Sequence, residues 1–282
     1  MEYYGQKEFA TKKEMFDFLI ENKDLLIAQK KSALKTVDCG IIIEPVIVRE
    51  KGSANKAEGD QMPEDKFTEL KAVVIINTTN LMDSHCDVHF PGIWNKSLKE
   101  NKMIMHLQEH EREFEKVISD GKELKAYTKT YTWSELGYNY EGTTEALVFE
   151  STVLKKRNEF MFNQYLNGWV KNHSVGMYYV RMDMAVNDKD YPNEFTAWEK
   201  YYPMIANKEK ADEKGFFWYV LEAKCMEGSA VVLGSNTATP TLSTETKEDA
   251  PPEGTHQKIE PEVISTQKAI NYEFLIKNLK SK

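Results

Sequence analysis

Six short runs of this chain carry the residue pattern of β-strands, and they constrain its fold more than any other feature. They are CGIIIEPVIVRE (39–50), LKAVVIINTT (70–79), KELKAYTKTYTW (122–133), the stretch from Val175 to Val186, FFWYVLEAKC (216–225) and SAVVLG (229–234). Each is rich in β-branched or aromatic residues, and several alternate apolar with polar positions, the period of a strand with one face buried. Pro45 cannot donate to a ladder, so the first run is expected at a sheet edge or broken there. A polar loop (51–65) separates it from the second.

Helical spacing appears elsewhere. Residues 11–34 place Met15, Phe16, Leu19, Ile20, Leu25, Leu26 and Ile27 largely on one face, and Thr11 with Glu14 has the form of a capping box. Asn22-Lys23-Asp24 predicts a break into two helices, read as an ordinary packed element. Residues 80–102 read as a loop entering a short helix, punctuated by Pro91-Gly92. Segment 103–118 fits a strand and a helix equally. Residues 143–172 are expected to be mainly helical, and 187–214 form a polar, aromatic-rich excursion.

After Asn236 the composition changes abruptly. TATPTLSTETKEDAPPEGTHQKIEPEV is rich in Thr, Glu and Pro and nearly lacks large apolar residues. Such a segment buries too little surface to offset its chain entropy. The chain therefore divides into an N-terminal helical segment (1–36), a main domain (37–236), a disordered linker (237–265) and a short amphipathic helix (266–282). Tyr272, Phe274, Leu275, Ile276 and Leu279 would give that last helix a docking face.

Composition narrows the function. With 282 residues, 41% of them hydrophobic, the chain can build one sizeable core. A formal net charge of −8 disfavours a broad nucleic-acid-binding face, which needs clustered Lys and Arg. Three widely separated cysteines, Cys39, Cys86 and Cys225, argue against a disulfide framework and suit a reducing compartment. The polar N-terminus lacks an apolar signal core, and no run approaches membrane-spanning length. The expectation is a soluble intracellular protein.

One motif points to metal chemistry. His106-Leu107-Gln108-Glu109-His110 satisfies H-x-x-E-H, the inverted zinc-peptidase signature in which both histidines bind the ion and the glutamate activates water. Such a site needs a third ligand from a further helix, and no downstream pattern supplies one. A zinc-dependent hydrolase is the alternative reading, as is a non-catalytic scaffold or assembly protein.

Four other elements recur in a fixed order. They are the loop from Asp83 through Asp87 to Pro91-Gly92-Ile93-Trp94, then Leu107-Gln108-Glu109-His110-Glu111, then His173-Ser174-Val175-Gly176-Met177, then Glu227-Gly228-Ser229-Ala230-Val231-Val232 with Ser235-Asn236. Over residues 70–236 this series resembles the prohead proteases of tailed bacteriophages, head maturation enzymes related in fold to the herpesvirus assemblins. The resemblance implies an α+β fold with a closed, antiparallel-rich β-barrel core surrounded by helices. It implies a serine endopeptidase acting inside the viral prohead in the host cytoplasm. Its expected substrates and partners are scaffold protein, the major capsid protein and the protease itself. Neither nucleic acid, membrane, metal nor cofactor is implied, and analogy with the herpesvirus enzymes extends to a homodimer.

The chemistry is coherent in its own terms. A serine hydroxyl needs an adjacent base to attack at neutral pH. Ser174 is then the nucleophile and His110 the base, since an acid, Glu111, follows His110 as the family pattern has it, whereas Leu107 follows His106. Glu227 would orient the imidazole and stabilise its cation. Glu222, on the preceding strand, is its rival. The loop at 83–94 is read as structural, with Asp87 bracing a turn and Phe90 and Trp94 burying a loop–helix junction.

Overall fold

Thr11 opens the first helix as its spacing predicts. Its Oγ1 accepts the Glu14 N–H at 3.2 Å, a cap that contributes about 1 kcal/mol. Glu14 reaches back to the Ala10 N–H at 3.0 Å, one residue further than a capping box requires. The computed structural model describes residues 2–4, 7–34, 67–101 and 103–246. In it α1 (Lys12–Glu21) and α2 (Lys23–Ser32) meet at Asn22, where the sequence predicts the break. A short antiparallel pair, β1 (Glu2–Tyr4) and β2 (Lys7–Phe9), precedes them. The expected strand at 39–50 and the expected helix at 266–282 lie outside the described residues.

The remaining elements follow in order. β3 (Glu69–Thr78) leads through a loop to β4 (Asp87–His89) and α3 (Asn95–Glu100). Next come β5 (Met105–Gln108), β6 (Val117–Asp120), β7 (Leu124–Thr132) and β8 (Thr143–Leu154). α4 (Glu159–Leu166) precedes β9 (Asn172–Val186). α5 (Pro192–Tyr201) and α6 (Lys208–Lys214) fill the polar excursion, and β10 (Phe216–Val231) and β11 (Thr241–Thr246) complete the set.

The strands form two larger sheets. The first is antiparallel, in the order β11-β3-β8-β7. In the second, β10 is the spine. β9 runs antiparallel along its whole length on one side, while β4 and β5 lie end to end on the other, both parallel to it, and β6 extends from β5. The sheets pack with β3 against β9 and β6 against β8. The shared core includes Val74, Ile76, Phe149, Val175, Met177 and Trp218. Helices and mainly antiparallel sheets are thus present as expected. Among the described residues the strand pairing closes no barrel.

Several local expectations are corrected. Residues 143–154 form a strand and not a helix, and the consecutive residues Ala146, Leu147, Val148 and Phe149 are all buried, so both faces are covered there. Such a strand shows an apolar run that periodicity cannot distinguish from a buried helix. The two runs at 216–225 and 229–234 are one strand, continuing through Glu227-Gly228. Segment 103–118 resolves into β5 and the start of β6. The expected linker begins too early at 237, because Thr241–Thr246 pair with β3. Threonines supply that strand, which a composition test for disorder overlooks.

The loop after β3 is braced by Asp83, not Asp87. Asp83 Oδ1 accepts the His85 and Asp87 N–H groups at 2.8 and 2.9 Å. Asp87 instead pairs with Lys30 of α2 at 2.5 Å and accepts the Tyr179 hydroxyl at 2.8 Å. That buried ion pair ties the N-terminal helices to the second sheet. Phe90 and Trp94 are buried, as expected.

Candidate active site

A bulge sets up the site. Along β10, Cys225 pairs with Met177 and points into the core between the sheets. Strict alternation would send Glu227 the same way. One extra residue, Met226, interrupts the ladder, and Glu227 pairs with Gly176 instead. Bulges of this kind re-aim side chains. Beyond it, Gly228 and Val175 face inward, where a Cβ on Gly228 would lie 2.6 Å from Phe149 and 2.8 Å from Ile76. Glu227 and Ser229 therefore share the opposite face with their partners Gly176 and Ser174.

His110 arrives on that face by a backbone reversal. β5 runs beside β10 with His106 opposite Gly228, so His106 points inward. After Gln108 the chain enters the left-handed region at Glu109 (φ 49°) and His110 (φ 61°). Each such non-glycine residue costs about 1–3 kcal/mol and persists only when its surroundings hold it. The hold is visible here. Glu109 N–H donates to Ala230 O at 2.9 Å, and His110 N–H donates to Ser229 Oγ at 3.1 Å.

The side chains then complete a linked set. His110 Nδ1 lies 2.6 Å from Glu227 Oε1, and Ser229 Oγ donates to Glu227 Oε2 at 2.6 Å. Where Nδ1 donates to the Glu227 carboxylate, Nε2 is left as the acceptor. Nε2 is buried and has no hydrogen-bond partner among the described residues. The Ser174 hydroxyl likewise makes no hydrogen bond among them. Ser174 is the ladder partner of Ser229, whose hydroxyl touches His110. The three residues expected from sequence thus come to one face. Glu222 does not; it pairs with Lys96 at 3.3 Å, several rungs away.

The zinc alternative loses its geometric basis. HLQEH lies on a strand end and a reversed turn, and its two histidines face opposite sides of the sheet. His106 is fully engaged, with Nδ1 2.9 Å from Ser151 Oγ and Nε2 3.2 Å from the Tyr165 hydroxyl. Tyr165 also meets His173 Nε2 at 2.9 Å, and His173 Nδ1 donates to Thr239 O at 3.0 Å. Burial pushes both imidazoles down, His173 to about 4 and His106 well below its ordinary value, with His173 adding to the latter. Among the described residues no three His, Cys, Asp or Glu side chains gather as metal ligands. His89 is equally internal, between Asn77 and Tyr179. Burial raises the thiols of Cys86 and Cys225, so neither supplies a ready thiolate.

Two residues of the site escape a reading for catalytic groups. Gly176 carried a signal, since a glycine inside a strand marks close approach of another group. Ser229 carried one in its spacing, two positions from Glu227 and so on the same face. Asn236 is a structural staple: its amide joins Thr78 at 3.0 and 2.9 Å and accepts the Ala238 N–H. No family model matches the chain, and no curated protein or solved structure matches it.

Proposed function

We propose that the protein is a serine endopeptidase of the phage head maturation type. The observation that carries this reading is the His110–Glu227 pair at 2.6 Å, with Nε2 left unpaired on the face that bears Ser174. Ser174 Oγ attacks the scissile carbonyl carbon as His110 Nε2 takes its proton. Glu227 holds the imidazole tautomer and stabilises the cation that forms. The tetrahedral intermediate collapses to an ester on Ser174, and His110 returns the proton to the departing amine. Water then repeats the sequence on the ester, releasing the acid and restoring the serine.

A polypeptide substrate agrees with the surroundings. Phe114 follows His110 on the same loop, Trp169 precedes Ser174, and Val232 and Leu233 follow Ser229; all four side chains are exposed. Apolar side chains left in water on segments flanking one site suit an extended chain with apolar residues. The chain order His, Ser, Glu and the two packed sheets support kinship with the assemblin fold. On this reading the natural substrates are scaffold segments, the major capsid protein and the enzyme itself, and the site of action is the prohead in the host cytoplasm.

Co-expression with the capsid protein, with and without Ser174→Ala, tests the proposal by intact mass. Discrete capsid fragments are expected only with the wild-type serine. Fragments that persist in the variant contradict the serine mechanism. Fragments abolished by chelation would restore a metal reading. No fragments in either case would favour a non-catalytic assembly protein.

A further inference from the structure

Ser229 sits at the centre of the site yet belongs to none of the three chemical roles. It is fully buried, and its hydroxyl is committed twice: it donates to Glu227 Oε2 at 2.6 Å and accepts the His110 N–H at 3.1 Å. With no exposed surface, this hydroxyl has no path to a substrate carbonyl in the observed arrangement. It can, however, fix two other groups relative to each other.

Those two groups need fixing. Glu227 has one oxygen on His110 Nδ1, so rotation of the carboxylate about its last bond would break that contact unless the other oxygen is held. Ser229 Oγ holds it. His110 stands on a left-handed backbone, where a side chain keeps its aim only if the turn is pinned. The His110 N–H is pinned by the same Oγ. One atom thus sets both ends of the imidazole–carboxylate contact, and alternation along the strand after the bulge makes this possible by putting Glu227 and Ser229 on one face.

We propose that Ser229 is a positioning residue of the catalytic apparatus, acting through Glu227 and the backbone of His110. This inference rests on the peptidase reading given above for its consequence in turnover, but its structural content can be read without turnover.

The experiment therefore uses two readouts on the full-length chain. The first is the proton resonance of His110 Nδ1–H in the Ser174→Ala background, where self-cleavage does not interfere. A short imidazole–carboxylate hydrogen bond shifts this resonance far downfield. It is expected to be present with Ser229, to broaden or vanish in Ser229→Ala, and to return in Ser229→Thr, which restores a hydroxyl. The second is peptide cleavage with Ser174 intact, where Ser229→Ala is expected to lower kcat about ten- to a hundredfold. KM should stay within about twofold, because the lost interaction orients the base and does not bind substrate. A His110 resonance unchanged in Ser229→Ala overturns the inference, whatever the protein cleaves. An altered resonance with no cleavage by any variant upholds the positioning role and condemns the peptidase reading. Should Ser229→Thr be too large for the site, Ser229→Cys with native-like thermal melting takes its place. A weak thiol donor should then give an intermediate resonance, and a wild-type resonance from it counts against the inference.

Discussion

Glu227 and Gly176 face each other across the β9–β10 ladder, and the carboxylate of one fills the space that a side chain on the other would need. A Cβ at residue 176 would lie 1.8 Å from Glu227 Oε1, far inside any contact distance. The same oxygen holds His110 at 2.6 Å. The glycine therefore leaves the room that the Glu227–His110 contact occupies.

Gly176→Ala follows directly. The added methyl must push the carboxylate off His110, so cleavage of a peptide should fall by about a hundredfold or more. Displacing a buried carboxylate also costs stability, so activity is compared at a temperature where thermal melting shows the variant to be folded. A variant with full activity would mean that the carboxylate can relocate without consequence.

Glu227→Gln and Glu222→Gln separate the two carboxylates that sequence alone left in competition. Glutamine at 227 keeps the size but loses the charge that stabilises an imidazolium, and turnover should fall by as much as about four orders of magnitude. Among the described residues Glu222 pairs with Lys96 on the surface, so its variant should retain near-normal turnover. The ratio of kcat values on one peptide is the measurement, and a crippled Glu222→Gln enzyme would reassign the acid.

The Lys30–Asp87 pair supports a prediction about stability. Both side chains are nearly or fully buried, so removing one leaves an uncompensated charge inside the protein. Lys30→Met should destabilise by about 3 kcal/mol, and hydrogen exchange in α2 should accelerate before that of β9. Unchanged protection in α2 would show that the helix is held by its other contacts, the Lys23–Glu194 pair among them, and not by Lys30–Asp87.

How far the sequence carried these conclusions depends on the element. The strands at 70–79, 122–133 and 175–186 announced themselves through β-branched and aromatic residues, and the last two also through alternation in residue type. β8 did not, since burial on both faces removes the alternation and leaves an apolar run that a helix would also show. The order of short motifs singled out Ser174, His110 and Glu227 as candidates. It could not show that they share one face of the sheet, because that depends on a one-residue bulge at Met226 and two left-handed residues at 109 and 110. Neither leaves a signature in residue type: Glu and His are ordinary residues that these surroundings force into a strained turn. His106 and His110, four apart, looked like one helix face until the strand turned them to opposite sides.

The buried His106–Tyr165–His173 network predicts a pH dependence. Burial depresses the His173 imidazole from an ordinary 6.5 to about 4, so the folded protein binds fewer protons than the unfolded chain between those values. Stability from this group is fully present above pH 6.5 and is lost as pH falls toward 4, by up to about 3 kcal/mol. Thermal melting should decline through that window more steeply than carboxylates alone would cause. His173→Gln, less stable at pH 7.5, should show a flatter profile, and parallel profiles would contradict the assignment.

Covalent labelling tests most directly whether Ser174 is the nucleophile served by His110. Purified full-length protein is treated with a fluorophosphonate, digested, and the adduct located by peptide mass spectrometry. The adduct is predicted on Ser174, with labelling suppressed in His110→Ala and unaffected by chelator. An adduct on Ser229 or another residue, or labelling of Ser174 that is undiminished without His110, would contradict that assignment.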